Sequence, residues 1–167
     1  GRIPLLKVFF YLLAQCAGSS CGSALAYACV SDNIRSQFFA FTPNAEITLW
    51  QGVLVEALLT FNLIFTAMGA TDAKRRPVFM PGLPVGMAIG VGIMAAGTYT
   101  GATMNPIVAL GPAVITGNFK DHWVYWVGPY SGGMLGYGTY TLLMHISNKY
   151  GQKKKLEPVE PEEIESA

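Results

Sequence analysis

Charge is scarce in this chain. Of its 167 residues only 13% are Asp, Glu, Lys or Arg, against 51% apolar residues. The formal net charge is +1, so the broad basic surface that holds nucleic acid is missing. So few charges at this length also argue against an ordinary soluble domain. Their placement is uneven. None lies between Pro77 and Phe119, whereas Lys74, Arg75 and Arg76 cluster, and Lys153, Lys154 and Lys155 cluster again. Such bunching marks a polytopic membrane protein.

Other absences narrow the reading. There is no Asn-x-Ser/Thr acceptor, so glycosylation assigns no outer loop. No nucleophile–base pair, phosphate loop or metal-ligand spacing occurs, so neither an enzyme nor a cofactor is expected. Cys16, Cys21 and Cys29 share one apolar segment without His or Asp neighbours and read as packing residues, not as a metal site. His122 and His145 flank the last apolar run and read as interfacial. The chain does not open on Met and shows no signal-peptide pattern before its first apolar run, so a fragment of a longer protein is the expectation.

What the chain has is long apolar runs. Residues 5–30 exceed the roughly 20 residues that cross a bilayer. Residues 49–70, 82–98 and 123–146 follow as three more spans. Gly18 with Gly22, and Gly86 with Gly90, form pairs four apart that would let a second helix approach closely. Residues 31–48 are mixed in character and read as a loop. Trp123, Tyr125 and Trp126 read as an interfacial aromatic cluster. The basic, then acidic tail at 148–167 reads as disordered and cytoplasmic.

One apolar run has a break in its middle. In "TGATMNPIVALGPAV", residues 100–114, Asn105 is a good N-cap and Pro106 suits the first helical position. A helix at about 105–116 follows, ended by Gly117 and too short to span. Gly97 to Met104 would be a non-helical descent to it. Charge supports a segment that does not cross. With the Lys74–Arg76 loop in the cytoplasm, the Lys153–Lys155 tail falls on the same side only if residues 100–117 enter and leave by one face. A half-helix start at membrane depth turns its positive end inward, and the Asn105 amide adds donors. Such a site suits a neutral hydrogen-bonding solute and disfavours cations. An ordinary Pro-kinked helix is the competing reading.

"GATMNPIVALGPAVITG" followed by "HWVYWVGPYSGG" resembles the second half of an aquaporin of the major intrinsic protein family. "AQC" at 14–16, "VEALLTFNLIFT" with Glu56, and "TDAKRRP" agree in order and spacing. The resemblance implies an all-α membrane protein, a partial aquaporin-like bundle of four transmembrane helices plus one re-entrant half-helix. It implies pore and selectivity roles for Asn105, Pro106, Ile107, Val108, Ile93 and Ala102. It gives Glu56, and with it Gln15, a supporting role as a polar group, Glu56 accepting hydrogen bonds from the loop before Asn105. It also implies a homotetramer in the lipid bilayer, in the plasma membrane ahead of internal membranes.

Departures from the family pattern bear on function. Ile107 stands where Ala is usual and would crowd the junction of two half-helices. Val108 stands where Arg is usual at the outer constriction, and Ile93 where water-selective members often have His. The constriction on this side is therefore apolar. Two function classes stay open. One is a passive channel for water, with glycerol or urea as further solutes. The other is a non-conducting adhesion or regulatory relative.

Overall fold

The computed structural model describes residues 3–33, 35, 41–72 and 79–156, with backbone alone for the last six. Among the described residues, five helices have defined ends, in chain order α1 Leu5–Cys29, α2 Leu49–Thr71, α3 Gly82–Thr100, α4 Pro106–Thr116 and α5 Val124–Leu156. Three of them, α1, α2 and α3, are long and apolar enough to cross a membrane. At 33 residues α5 is longer still, but its first half is rich in Tyr and Gly, which lowers its hydropathy. The 11 residues of α4 extend only about 16 Å, half of a hydrocarbon core about 30 Å thick.

The burial pattern is that of a membrane bundle. No residue of α1 is buried, and Leu5, Phe79 and Met94 are almost fully exposed. Glu56, Thr60, Thr100 and Thr103 are buried instead. These polar groups share the interior with apolar residues such as Val124, Ala109 and Ile107, while many large apolar side chains face outward.

Each helix end has a local cause. At the start of α2 the Thr48 hydroxyl accepts from Gln51 N at 3.3 Å, and Gln51 Oε1 accepts from Thr48 N at 2.7 Å. This reciprocal cap satisfies two end donors. Gly101 stops α3 in the left-handed region at φ 88° and donates to the Gly97 carbonyl. Helix α3 therefore runs to Thr100, and the expected descent from Gly97 shrinks to residues 101–105. Gly117 closes α4 at φ 68°.

Helix α5 packs along α2 through glycines four residues apart. A Cβ on Gly128 would meet Val53 O at 2.9 Å, one on Gly136 would meet Phe61 O at 2.8 Å, and one on Gly132 would fall on Ala57 O. Backbone touches backbone along this seam. The pairs Gly18–Gly22 and Gly86–Gly90, expected to pack closely, have open space beside them among the described residues. Spacing of four reveals a smooth stripe but not which stripe is covered.

Two further expectations need correction. Helix α5 continues to Leu156, so residues 148–156 are helical where a disordered tail was expected; residues 157–167 lie outside the described residues. No proline interrupts this extension before Pro158. In the expected loop at 31–48, Asp32, Asn33 and Arg35 are helical, and residues 34 and 36–40 lie outside the described residues.

Candidate solute path at the Asn105 half-helix

The site begins with a tight loop. Ala102 and Met104 both have φ 51°, a left-handed conformation costly for side chains with a Cβ. Their strain is offset by one carboxylate. Glu56 is fully buried and accepts four hydrogen bonds. Thr100 Oγ1 and Thr103 N donate to Oε1 at 2.7 and 3.0 Å, while Thr103 Oγ1 and Met104 N donate to Oε2 at 3.1 and 2.8 Å. The left-handed turns aim two successive N–H groups the same way, making a small anion nest. A residue of α2 thereby fixes the loop that leads into α4.

Tyr125 braces the same loop from α5. It is fully buried, and its hydroxyl donates to the Thr100 carbonyl at 2.8 Å. The reading of Tyr125 as interfacial is thus corrected. Its neighbour Trp123 meets Trp50 edge-on, with centroids 5.5 Å apart, at the surface. In a run of three aromatics, sequence does not distinguish the ring that turns inward.

Asn105 caps α4. Its Oδ1 accepts from Ile107 N at 2.9 Å. The amide oxygen is thus turned to the helix and the amine away from it, and among the described residues that amine makes no hydrogen bond. Asn105 is exposed and borders two clefts. One, of about 490 Å³, lies between α2 and α5 and is lined by Leu63, Ile64, Pro106 and Tyr137 among others. The other, of about 550 Å³, lies along α1 and is lined by Gln15, Ser19, Phe41, Ile107 and Val108 among others.

Helix α4 rests on α1. Ser19 Oγ donates to the Ile107 carbonyl at 2.7 Å. A Cβ on Gly111 would come within 2.6 Å of both Ser19 O and Ser23 Oγ, so only glycine allows this approach. Pro112 lacks an N–H, which deprives the Val108 carbonyl of its usual donor one turn on.

The residues singled out by sequence do not all meet. Asn105, Ile107, Val108 and Gln15 share the cleft along α1, and Val108 is 45% exposed. Pro106 lines the cleft on the α2–α5 side. Ala102 is 3% exposed, with its side chain in a small core beside Ala96 and Met104. Ile93 is half-exposed on α3 and lines neither cleft. Ile93 and Ala102 thus do not share with Val108 the cleft along α1. Phe41, from a loop with no distinguishing pattern, lines the cleft instead.

His122 lies just before α5, with its ring near those of Phe119, Tyr125 and Trp126 at 5.6, 6.0 and 6.3 Å. Its Nε2 is covered and has no hydrogen-bond partner among the described residues, and burial pulls the imidazole pKa below its ordinary value.

The architecture, all-helical among the described residues, with three apolar helices long enough to cross a bilayer and a short capped helix starting beside open clefts, is that of a helical integral membrane protein. Comparison with known proteins gives the family. The major intrinsic protein family model matches residues 1–140. Aquaporin-4 of Bos taurus is 39% identical over 140 residues, covering 83% of this chain and 43% of the relative. Human Aquaporin-2 is 34% identical over 163 residues, covering 94% of this chain and 60% of the relative. Aquaporin-5 of Ovis aries is 39% identical over 133 residues, covering 78% of this chain and 50% of the relative. The chain belongs to the major intrinsic protein family, and it spans about half the length of these relatives.

Proposed function

We propose that this chain forms one side of a passive membrane channel for water and small uncharged solutes such as glycerol or urea. The observation that carries the reading is the Asn105 cap. Its oxygen is committed to Ile107 N, which leaves the amine aimed away from the helix, at the edge of both clefts. The N-terminal dipole of α4 adds a positive field at the same place. A neutral solute that accepts hydrogen bonds is attracted there, and a cation is repelled.

In this reading Asn105 and Pro106 set the turn, Ile107 and Val108 form the wall, and Ile93 and Ala102 contribute to the path through the complete lining. Glu56 holds the entering loop, and Gln15 is a polar group on the facing wall. With Val108 in place of a cation, selection at this wall is weak and apolar. The reading assigns no catalysis and no cofactor. It places a homotetramer in the plasma membrane with the C-terminal tail in the cytoplasm. The relatives' name, aquaporin, supports a channel.

A second reading also has an observation in its favour. The wall of Ile107, Val108 and Phe41 is apolar enough to shed water, which suits a non-conducting adhesion or regulatory relative. The two readings separate in reconstituted vesicles. Protein expressed from its complete reading frame is inserted, and shrinkage is followed by light scattering after a step in sucrose, then in glycerol or urea. The channel reading predicts water flux well above that of empty vesicles. Equal flux, with insertion verified, overturns it in favour of the second.

A further inference from the structure

The cleft along α1 is bounded on one side by Asn105, Ile107 and Val108. One of its walls is a loop residue, Phe41.

Phe41 is held from behind. Its ring meets Tyr125 edge-on, with centroids 6.3 Å apart at 64°. Tyr125 cannot yield, because it is fully buried and bonded to the Thr100 carbonyl. The ring also occupies the space where a Cβ on Gly101 would stand. The backbone just beyond is fastened too. Asn44 N donates to Tyr99 O at 2.8 Å, and Asn44 Nδ2 to Thr98 O at 3.3 Å. Phe41 is only partly buried despite these contacts, and its remaining open side belongs to the cleft it shares with Asn105, Ile107 and Val108.

We propose that Phe41 is a specificity-determining residue of the solute path, a fixed aromatic wall that sets the width of the cleft beside Val108. The inference rests on the channel reading above. A flat ring braced on Tyr125 cannot swing aside as a solute passes. With Val108 it offers a surface to the C–H face of a polyol or small amide, while the Asn105 amine supplies the donor. Space at Phe41 therefore decides how large a neutral solute enters, and water is affected much less.

Four proteins expressed from the complete reading frame test this in vesicles: wild type, Phe41→Leu, Phe41→Ala and Phe41→Trp. The quantity read is the ratio of glycerol or urea permeability to water permeability, normalised to inserted protein. The ratio should rise from wild type through Leu to Ala, by about tenfold, the scale on which single methylenes change pocket discrimination. It should fall in Phe41→Trp. Loss of packing alone lowers the amount of folded protein and leaves the ratio unchanged. If wild type conducts water and the ratio stays flat across the series, the Phe41 proposal is overturned and the channel reading stands. If wild type conducts nothing, both fall. The Leu and Trp variants keep most of the ring's contact area, so the test survives if Phe41→Ala does not fold.

Discussion

Replacing Glu56 with Gln should destabilise the protein by several kcal/mol although the side chain keeps its size. The carboxylate accepts from two backbone N–H groups and two hydroxyls, with both oxygens used. An amide has only one acceptor oxygen. If its NH₂ replaces Oε2, it faces the Met104 N–H, 2.8 Å away. If it replaces Oε1, it faces the Thr103 N–H, 3.0 Å away. Either way a buried backbone donor loses its acceptor, which costs about 1–3 kcal/mol. The bonds that survive go from a charged to a neutral acceptor, a loss of about 1 kcal/mol each. The sum is about 3–5 kcal/mol, a large share of typical folding stability. Ala at this position leaves both N–H groups bare and should cost more. The assay is reversible unfolding in mixed micelles, with helicity read against denaturant. A Gln variant within about 0.5 kcal/mol of wild type, the range of an inconsequential surface change, would refute the account of how the loop is held.

The seam between α2 and α5 gives a paired prediction. Gly132→Ala puts a methyl group on the Ala57 carbonyl and should cost about 1–3 kcal/mol by overpacking, whereas Gly138→Ala has open space and should be neutral or mildly stabilising; equal midpoints for the two would refute it. His122 gives a pH dependence. Its folded pKa lies below the ordinary 6.5 because burial disfavours the imidazolium. The neutral ring's contribution is therefore present above about pH 6.5 and is lost as pH falls through the lower folded value. Thermal scans at pH 7.5 and 5 should show a drop that His122→Phe reduces, and an unchanged drop in that variant counts against burial as the cause. For Phe41, the solute-to-water ratio should follow side-chain size as described above.

Much of the architecture was legible because hydropathy and punctuation agree. Three helices begin and end within two residues of the apolar runs, and Asn105 and Gly117 flank α4. A lone carboxylate in mid-span pointed to Glu56, since a charge there requires partners. Other features depend on which face of a helix is covered, and one chain's pattern does not record that. Gly18, Gly22, Gly86 and Gly90 have the spacing of a contact and open space beside them, while Gly128, Gly132 and Gly136 carry the seam. Gly101 was a readable stop for α3 that the apolar count passed over in favour of Gly97. Phe41 and Tyr125 were opaque for a tertiary reason. Each acquires its role from contacts made far away in sequence, across the Thr100–Gly101 turn.

The central claim is that α4 presents a solute path whose wall at Val108 lacks a cation. Val108 lines the cleft and is 45% exposed, so a longer side chain has room. The direct measurement is flux through vesicles carrying wild type or Val108→Arg, in sucrose and then in glycerol or urea. The account predicts that wild type passes the solutes, and that the Arg variant loses solute flux while keeping water flux. Flux from both proteins no greater than that of empty vesicles, despite correct insertion, would contradict it and leave a structural role as the better account.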